Sequence, residues 1–332
     1  MRVAINGLGR VGRLFLRAAV PAGVDVVAVN EPCGDAESLA LGVEFDSVQG
    51  RYPLPVKASV GNLHVGEQTL ELTQADRFED LDWATLGVQL VVDCSGEAKQ
   101  LERAKVHLER GASQVLVSNP VRGVPNLVYG VNHHDIDFLA HPVMTAASCT
   151  TNCLAPVVRV LHDAIGIERG AVTTMHAPTN TQVVVDRPHK DPRRARSALL
   201  NMIPTSTNSA SAVALIIPEL AGRLDSVAVR VPVLNASLTD CTFHMQRDTN
   251  VDEVLGALRD ASEGRMKGVL GVEDRPLVSS DYANDPRSGV VDAGCTRVVD
   301  GRLVKVMAWY DNEWGYANRM TDLVNCIRSA RR

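Results

Sequence analysis

Close to the amino terminus, a short apolar run is followed by three spaced glycines, Val3-Ala4-Ile5-Asn6-Gly7-Leu8-Gly9-Arg10-Val11-Gly12. The apolar run is typical of a buried strand, and the residues from Arg13 onward have helical spacing. Between a strand and a helix, such glycines permit a tight turn, close approach of the backbone to a pyrophosphate, and close helix–strand packing. The sequence therefore predicts that Gly7, Gly9 and Gly12 form a dinucleotide-binding turn.

A carboxylate stands at the end of the second predicted strand, residues 24–30. Glu31 directly follows that strand. A carboxylate at this position would bind the ribose hydroxyls and repel a 2′-phosphate, which favours NAD over NADP. The alternative is a glycine turn accompanied by an ordinary surface glutamate.

Strand-length apolar runs alternate with amphipathic helical segments as far as about residue 148. Residues 90–94 and 115–118 look like strands, and residues 97–110 look like a helix. This alternation predicts an α/β Rossmann domain with a doubly wound, mainly parallel sheet. Beyond residue 148 the strands and helices are segregated, which predicts an α+β catalytic domain with a mixed or antiparallel sheet. The expected divisions are residues 1–148, residues 149–312, and a C-terminal helix within 313–332 that returns to the first domain.

Length and composition exclude several classes of protein. The chain has 332 residues, of which 45% are hydrophobic, enough for two domains of about 150 residues each. A net charge of −5 gives no general attraction to nucleic acid or to an anionic membrane. No apolar run approaches the ~20 residues that span a bilayer, and the residues after Met1 lack the pattern of a signal peptide. Seven scattered cysteines are typical of reduced thiols in a cytoplasmic protein.

A second motif lies where a strand pattern gives way to a helix, at Ala147-Ser148-Cys149-Thr150-Thr151-Asn152-Cys153. A thiol at a helix N-terminus is expected to have a lowered pKa and to form a thiolate. His176, at the end of a strand-like run, is the candidate proton partner, although the chain has nine histidines and the sequence alone cannot pair them. Metal binding by Cys149 and Cys153 is the alternative. No further Cys or His pair has suitable spacing, so no metal is predicted.

Three segments of the chain resemble the glyceraldehyde-3-phosphate dehydrogenase family. They are Ala4-Ile5-Asn6-Gly7-Leu8-Gly9-Arg10-Val11-Gly12-Arg13, Ser148-Cys149-Thr150-Thr151-Asn152-Cys153-Leu154-Ala155-Pro156 and Trp309-Tyr310-Asp311-Asn312-Glu313-Trp314-Gly315-Tyr316. The resemblance covers the whole chain. It implies a Rossmann domain, a catalytic domain, a closing helix and a homotetramer.

The resemblance also implies roles for individual residues. Cys149 resembles the nucleophile and His176 resembles its base. The residues that resemble NAD contacts are Arg10, Val11, Glu31, Arg77, Ser118 and Asn312. The site for the attacking inorganic anion is implied at Ser148, Thr150, Thr207 and Asn208, and the site for the substrate's phosphate at Thr179, Thr181 and Arg230.

The implied reaction is the oxidation of glyceraldehyde 3-phosphate with NAD. The cysteine attacks the aldehyde, the hydroxyl proton of the hemithioacetal leaves through the histidine, and loss of hydride gives a thioester. Phosphate then attacks the thioester and releases an acyl phosphate.

Several residues depart from the usual family pattern near the expected anion sites. A family glycine is replaced by Asn208, and Pro178 and Pro232-Val233 are also unusual. These departures resemble the branch of the family associated with arsenate resistance. In that branch arsenate replaces phosphate, and 1-arseno-3-phosphoglycerate passes to an exporter. Asn208 would add an amide donor and remove the backbone freedom of glycine.

Two other functions stay open. Erythrose-4-phosphate dehydrogenase, which hydrolyses the thioester, resembles this chain at Asn30-Glu31 and Asn318-Arg319-Met320. A catalytically silent redox-sensing or binding protein is the alternative from another class, and the retained Cys149, His176 and Arg230 argue against it. The basic loop at residues 186–196 resembles the family's interface loop. Its interleaved aspartates and its lack of aromatic residues argue against a nucleic-acid site.

Overall fold

The computed structural model describes residues 1–331 of the chain. These residues divide into two compact units, one formed by Met1–Ser148 together with the segment from Ala317 onward, the other by Cys149–Tyr316. Among the described residues, no helix is both long and apolar enough to cross a membrane.

The first unit alternates strands and helices. Its elements are β1 (Arg2–Asn6), α1 (Arg10–Ala19), β2 (Asp25–Asn30), α2 (Ala36–Glu44), β3 (Phe45–Asp46), β4 (Gly50–Arg51), β5 (Val56–Ser59), β6 (Asn62–Val65), β7 (Gln68–Thr73), β8 (Leu90–Asp93), α3 (Leu101–Glu109), β9 (Gln114–Val117) and β10 (Val143–Thr145). Short 3₁₀ turns lie at Phe78–Asp80 and Phe138–Ala140.

The first unit is built on an eight-stranded sheet in the order β10-β9-β8-β1-β2-β7-β6-β5. The strands from β10 to β7 pair in parallel, and β6 and β5 extend this sheet antiparallel. The predicted doubly wound, mainly parallel sheet is confirmed. The strand order reverses at β1, whose carboxyl end leads into the glycine turn. Ligands of open α/β sheets bind at such a reversal.

The second unit begins with α4 (Cys149–Ala164) and continues through β11 (Ile167–His176), β12 (Ile203–Ser206), α5 (Ser209–Ile216), β13 (Leu224–Arg230), β14 (Ser237–Met245), α6 (Val251–Glu263), β15 (Leu270–Glu273), β16 (Gly289–Asp292), β17 (Arg297–Val299) and β18 (Leu303–Tyr310). Its 3₁₀ turns lie at Pro218–Leu220, Ser279–Tyr282 and Ala293–Cys295. The last helix, α7 (Trp314–Ala330), contributes its residues from Ala317 onward to the first unit.

The second sheet is also eight-stranded and mixed, with the order β12-β13-β11-β14-β18-β16-β15 and β17 added on β18. Strand β11 pairs in parallel with β13 and antiparallel with β14. The predicted α+β domain with a mixed sheet is confirmed. In β14 buried and half-buried residues alternate along the strand, as expected when one face packs on helices.

Two segments differ from the sequence-based expectation. The helix expected over residues 97–110 is formed only by Leu101–Glu109, because residues 97–100 have no regular secondary structure. Helix α2 was not predicted. It is capped by Asp35, whose side chain accepts a hydrogen bond from the Ser38 amide at 2.8 Å, and only Ala40 and Val43 of its residues are buried. So small a buried stripe gives a weak periodic signal.

Candidate active site

Each glycine of the turn after β1 meets a different steric demand. Gly7 has a φ of +92°, and a Cβ there would lie 2.6 Å from the Ser95 amide nitrogen. A Cβ on Gly12 would lie 2.0 Å from the carbonyl oxygen of Gly7, whereas a Cβ on Gly9 would meet nothing within 4 Å. Gly7 and Gly12 are therefore required by the fold, and Gly9 faces open space.

Glu31 is held against the glycine turn. One carboxylate oxygen accepts a hydrogen bond from the Leu8 amide at 2.7 Å, and the other accepts from the Cys33 amide at 3.1 Å. Each carboxylate oxygen has a further lone pair. The structure thus brings together Glu31 and the glycine turn, as a shared ligand would require.

The other residues predicted to contact the cofactor in this unit have varied surroundings. The Arg10 guanidinium is ion-paired with the buried Asp46. Val11 is half-buried in the first turn of α1. Arg77 is largely exposed and its Nε lies 3.8 Å from Glu79. The Ser118 amide donates to the Asp93 carbonyl oxygen at 2.9 Å, which places Ser118 at the carboxyl end of β9.

The predicted nucleophile stands at the first residue of α4, after a sharp backbone reversal. Ala147 has a φ of 57°, the left-handed region that L-residues seldom adopt, and the half-buried Ser148 follows it. Cys149 Sγ lies 3.5 Å from Nε2 of His176, the last residue of β11. The structure therefore brings together the two residues that the sequence could not pair.

Arg230 supports the histidine from the neighbouring strand. His176 and Arg230 are register partners at the ends of the parallel strands β11 and β13. Arg230 Nη1 lies 2.6 Å from His176 Nδ1 and donates to the Ala177 carbonyl oxygen at 2.9 Å. That oxygen is also 2.6 Å from Nδ1. The ring is thus held by its Nδ1 edge, with Nε2 facing the sulfur.

Burial governs the protonation of this pair. Although part of Cys149 is accessible, dense packing around the sulfur raises the pKa of the thiol, while the charge of Arg230 and hydrogen bonds from Thr150 oppose this increase. Burial, and then the nearby Arg230 charge, lowers the pKa of His176 to about 3. The expected lowering of the thiol pKa is therefore wrong, because desolvation outweighs the charge of Arg230 and the hydrogen bonds from Thr150. The imidazole is neutral, which is the form that accepts a proton.

Replacing Arg230 by glutamine is expected to shift alkylation of Cys149 to higher pH, because the guanidinium charge lowers the pKa of the thiol. The measurement is the rate of iodoacetamide alkylation against pH, followed on the peptide that contains Cys149. Arg196→Gln is the control, because Arg196 pairs with Asp186 on the exposed loop. An unchanged or lower midpoint in Arg230→Gln contradicts the prediction.

Hydroxyl groups cluster at the predicted anion sites. Thr179 Oγ1 lies 3.0 Å from Thr181 Oγ1, Thr207 Oγ1 lies 2.7 Å from Ser209 Oγ, and Thr150 Oγ1 lies 2.9 Å from the Tyr310 hydroxyl. The exposed Asn208 precedes α5, and its side chain makes no capping hydrogen bond.

The sequence predicted Arg194 only as one of several basic residues in the loop at residues 186–196, which resembles the family's loop at the subunit interface and cofactor site. The Arg194 guanidinium donates to Thr205 Oγ1 at 2.7 and 3.0 Å. Burial, and to a smaller extent the charge of Arg194, lowers the pKa of Arg230. Within residues 1–331, the buried Nε of Arg230 has no hydrogen-bond partner. Two neighbouring positive charges and an unsatisfied donor favour an anion.

Comparison with known proteins identifies the family that the chain matches. Residues 1–101 match the family model described as glyceraldehyde 3-phosphate dehydrogenase, NAD binding domain, and residues 148–312 match the model of the C-terminal domain. Glyceraldehyde-3-phosphate dehydrogenase 3 of Nostoc sp. is 49% identical over 98% of both chains. The enzyme of Pseudomonas aeruginosa is 48% identical over 100% of this chain and 99% of its own, and that of Geobacillus stearothermophilus is 45% identical over 99% and 98%.

The chain belongs to the glyceraldehyde-3-phosphate dehydrogenase family. In this family member the glycine turn fits the pyrophosphate of NAD. Gly9 opens onto free space, and α1 starts at the next residue without a side-chain cap, so the amides of its first turn face a position suited to phosphate oxygens. Glu31 retains acceptor capacity for ribose hydroxyls. No group of three His, Cys, Asp or Glu residues suited to a metal ion occurs within residues 1–331.

For this family member, Gly9→Ala is expected to weaken NAD binding by about tenfold, or about 1.4 kcal/mol, while the melting temperature stays close to that of the wild type. The added methyl group would project into the space where the pyrophosphate approaches. Gly12→Ala is the contrast, because its Cβ would collide with the Gly7 carbonyl oxygen and lower the melting temperature. Calorimetric titration and thermal unfolding measure both effects. Wild-type affinity in Gly9→Ala contradicts the prediction.

Proposed function

We propose that this chain oxidises glyceraldehyde 3-phosphate with NAD through a thioester on Cys149, and that it transfers the acyl group to an inorganic oxyanion. The observation that carries the proposal is the 3.5 Å separation between Cys149 Sγ and His176 Nε2, beside Arg230. Acyl transfer to and from a phosphorylated substrate requires a nucleophile, a neutral base and an unsatisfied hydrogen-bond donor that can bind an anion.

The first step forms a bond between Cys149 Sγ and the aldehyde carbon, and the thiol proton passes by way of His176 Nε2 to the aldehyde oxygen. When bound, NAD supplies the hydride acceptor for the oxidation. His176 then takes the hydroxyl proton, so that the oxygen can form the thioester carbonyl as the hydride leaves. Attack by the oxyanion breaks the carbon–sulfur bond, and the proton held by His176 returns to the thiolate leaving group.

In this proposal the residues predicted to bind anions form two sites, one for the phosphate of the substrate and one for the attacking oxyanion. Arg230, with Thr179 and Thr181, would hold the phosphate of the substrate. Thr207 and Asn208, with Ser148 and Thr150, would hold the attacking oxyanion. Arg194 supports the proposal because its charge lies near Arg230 and adds to the attraction for anions.

NADH formation from glyceraldehyde 3-phosphate, with and without phosphate, tests the proposal. Turnover that depends on phosphate is the expected result. Sustained turnover without any oxyanion would indicate a hydrolytic enzyme of the erythrose-4-phosphate dehydrogenase type. No turnover in either condition would indicate a catalytically silent binding protein.

We further propose that arsenate is the acceptor. The chain would then act in arsenate detoxification, and its product would pass to an exporter. The exposed amide of Asn208, which does not cap α5, supports this choice. The wild type is expected to show a higher ratio of kcat/KM for arsenate to kcat/KM for phosphate than Asn208→Gly. Equal ratios in the two proteins would assign the chain to the ordinary phosphate-dependent function.

We also infer a cytoplasmic homotetramer whose domains divide near residues 148 and 312. Large apolar side chains are exposed along the loop and strand edge of the second unit, at Val184, Val185, Leu199, Leu200 and Met202, and such a patch favours burial against another copy. All seven cysteines are free thiols, which suits a reducing compartment. Light scattering of the purified protein measures the assembly, and a monomeric mass contradicts this inference.

A further inference from the structure

Ser237, the first residue of β14, is buried between two parts of the candidate site. It is the register partner of Tyr310, the last residue of β18, and the same strand β14 pairs antiparallel with β11. Ala236, immediately before it, has a φ of 61°, so the chain turns sharply into the strand. The ends of three strands thus place Ser237 between Ala177 on one side and Asn312 on the other.

The hydroxyl of Ser237 uses both kinds of hydrogen-bonding capacity. Its oxygen accepts a hydrogen bond from the Ala177 amide at 3.1 Å, and its proton is donated to Asn312 Oδ1 at 2.9 Å. Ala177 carries the carbonyl oxygen that contacts His176 and Arg230. One hydroxyl therefore joins the backbone that holds the base to the side chain of Asn312.

The direction of the second bond decides the orientation of the Asn312 amide. Because the serine donates to Oδ1, the Nδ2 amino group must point away from Ser237. Within residues 1–331, Asn312 makes no other side-chain hydrogen bond, although it is 8% exposed. The amide is nearly buried, its Oδ1 is hydrogen-bonded and its Nδ2 has no partner among those residues, so Nδ2 can donate a hydrogen bond to a ligand.

We propose that Ser237 is a positioning residue that fixes the Asn312 amide so that Nδ2 donates to the reactive end of the bound dinucleotide. This inference rests on the proposed function, in which Asn312 contacts NAD. In the proposed function the nicotinamide takes the hydride from the substrate carbon on Cys149, and Asn312 and Ser237 belong to the same unit as Cys149 and His176. The end of the dinucleotide assigned to them is therefore the nicotinamide. Without the serine proton the amide could rotate and present its oxygen instead.

The dissociation constants for NAD and for ADP-ribose, measured separately, distinguish this positioning role from a merely structural one. In Ser237→Ala the dissociation constant for NAD, measured by calorimetry, is expected to rise about tenfold. The dissociation constant for ADP-ribose, which lacks the nicotinamide, is expected to stay unchanged. Ser237→Thr keeps the hydroxyl and is expected to restore most of the NAD affinity. Ser288→Ala is the matched control, because Ser288 is a buried serine of the same unit whose hydroxyl has no partner among residues 1–331.

A double-mutant cycle gives a second test that does not depend on one variant. Asn312→Ala is expected to weaken NAD binding alone, and adding Ser237→Ala should cause little further loss, since the two residues act as a unit. An unchanged NAD dissociation constant in Ser237→Ala, equal weakening of NAD and ADP-ribose, or full additivity would each overturn the positioning role. A wild type that binds NAD but does not form NADH from glyceraldehyde 3-phosphate would instead overturn the proposed function.

Discussion

Cys149→Ser is expected to lower NADH formation from glyceraldehyde 3-phosphate by a factor on the order of 10⁴ or more. The serine hydroxyl ionises far less readily than a thiol, and the neutral imidazole 3.5 Å away is a weak base that cannot compensate. An oxygen ester would also transfer its acyl group to the oxyanion more slowly than the thioester. The effect should appear in kcat, because neither NAD binding nor phosphate binding uses the sulfur.

Cys153→Ser provides the matched control for this substitution. Cys153 lies one turn further along α4, is buried, and its sulfur contacts the Ala308 carbonyl oxygen at 3.9 Å. Burial raises the pKa of this thiol to about 12, so it is not a competing nucleophile. Steady-state kinetics of both variants should show a large loss only in Cys149→Ser. Comparable losses in the two variants would mean that the helix, rather than the nucleophile, had been damaged.

His176→Asn is expected to lower kcat by roughly 10²- to 10⁴-fold, the usual contribution of a general base. Asparagine preserves a polar side chain at the end of β11 but cannot take the proton from the thiol or from the hemithioacetal hydroxyl. Because the base also sets the pH dependence, the remaining activity should rise with pH as hydroxide replaces the imidazole. The KM for glyceraldehyde 3-phosphate should change little, since Arg230 retains its charge.

His64→Asn is the control for the histidine substitution. His64 belongs to the hairpin of β5 and β6, where it contacts the hydroxyls of Ser59 and Thr69. Wild-type activity is expected in this variant. If His176→Asn kept wild-type kcat and an unaltered pH profile, the histidine would have no part in proton transfer.

Most of the fold could be predicted because its signals are local. The strand and glycine pattern at residues 3–12 identified β1 and the start of α1, and the change of pattern near Ser148 marked the beginning of the second unit. Helix α2 was missed, since two buried residues give no readable periodicity. The short strands β15 to β17 also depend on pairing with distant segments, which sequence periodicity does not report.

Only part of the candidate site could be predicted from the sequence. Cys149 could be identified from its position before a helix, but its pairing with His176 arises from the approach of β11 to the start of α4, a long-range contact. The thiol pKa was predicted in the wrong direction because desolvation depends on packing, which no local motif reveals. Ser237 carried no local signal, and Arg194 was identified only as part of the basic loop. Their contacts with Asn312 and Thr205 exist only after the strands have paired.

The covalent intermediate on Cys149 can be measured directly by mixing enzyme, NAD and glyceraldehyde 3-phosphate in the absence of any inorganic oxyanion. The predicted result is a rapid burst of one NADH per chain, followed by very slow turnover, with a 3-phosphoglyceroyl adduct found by mass spectrometry on the peptide containing Cys149. Addition of phosphate or arsenate should remove the adduct and restore turnover. Continuous NADH formation without a burst, or an unmodified Cys149 peptide, would contradict catalysis through a cysteine thioester.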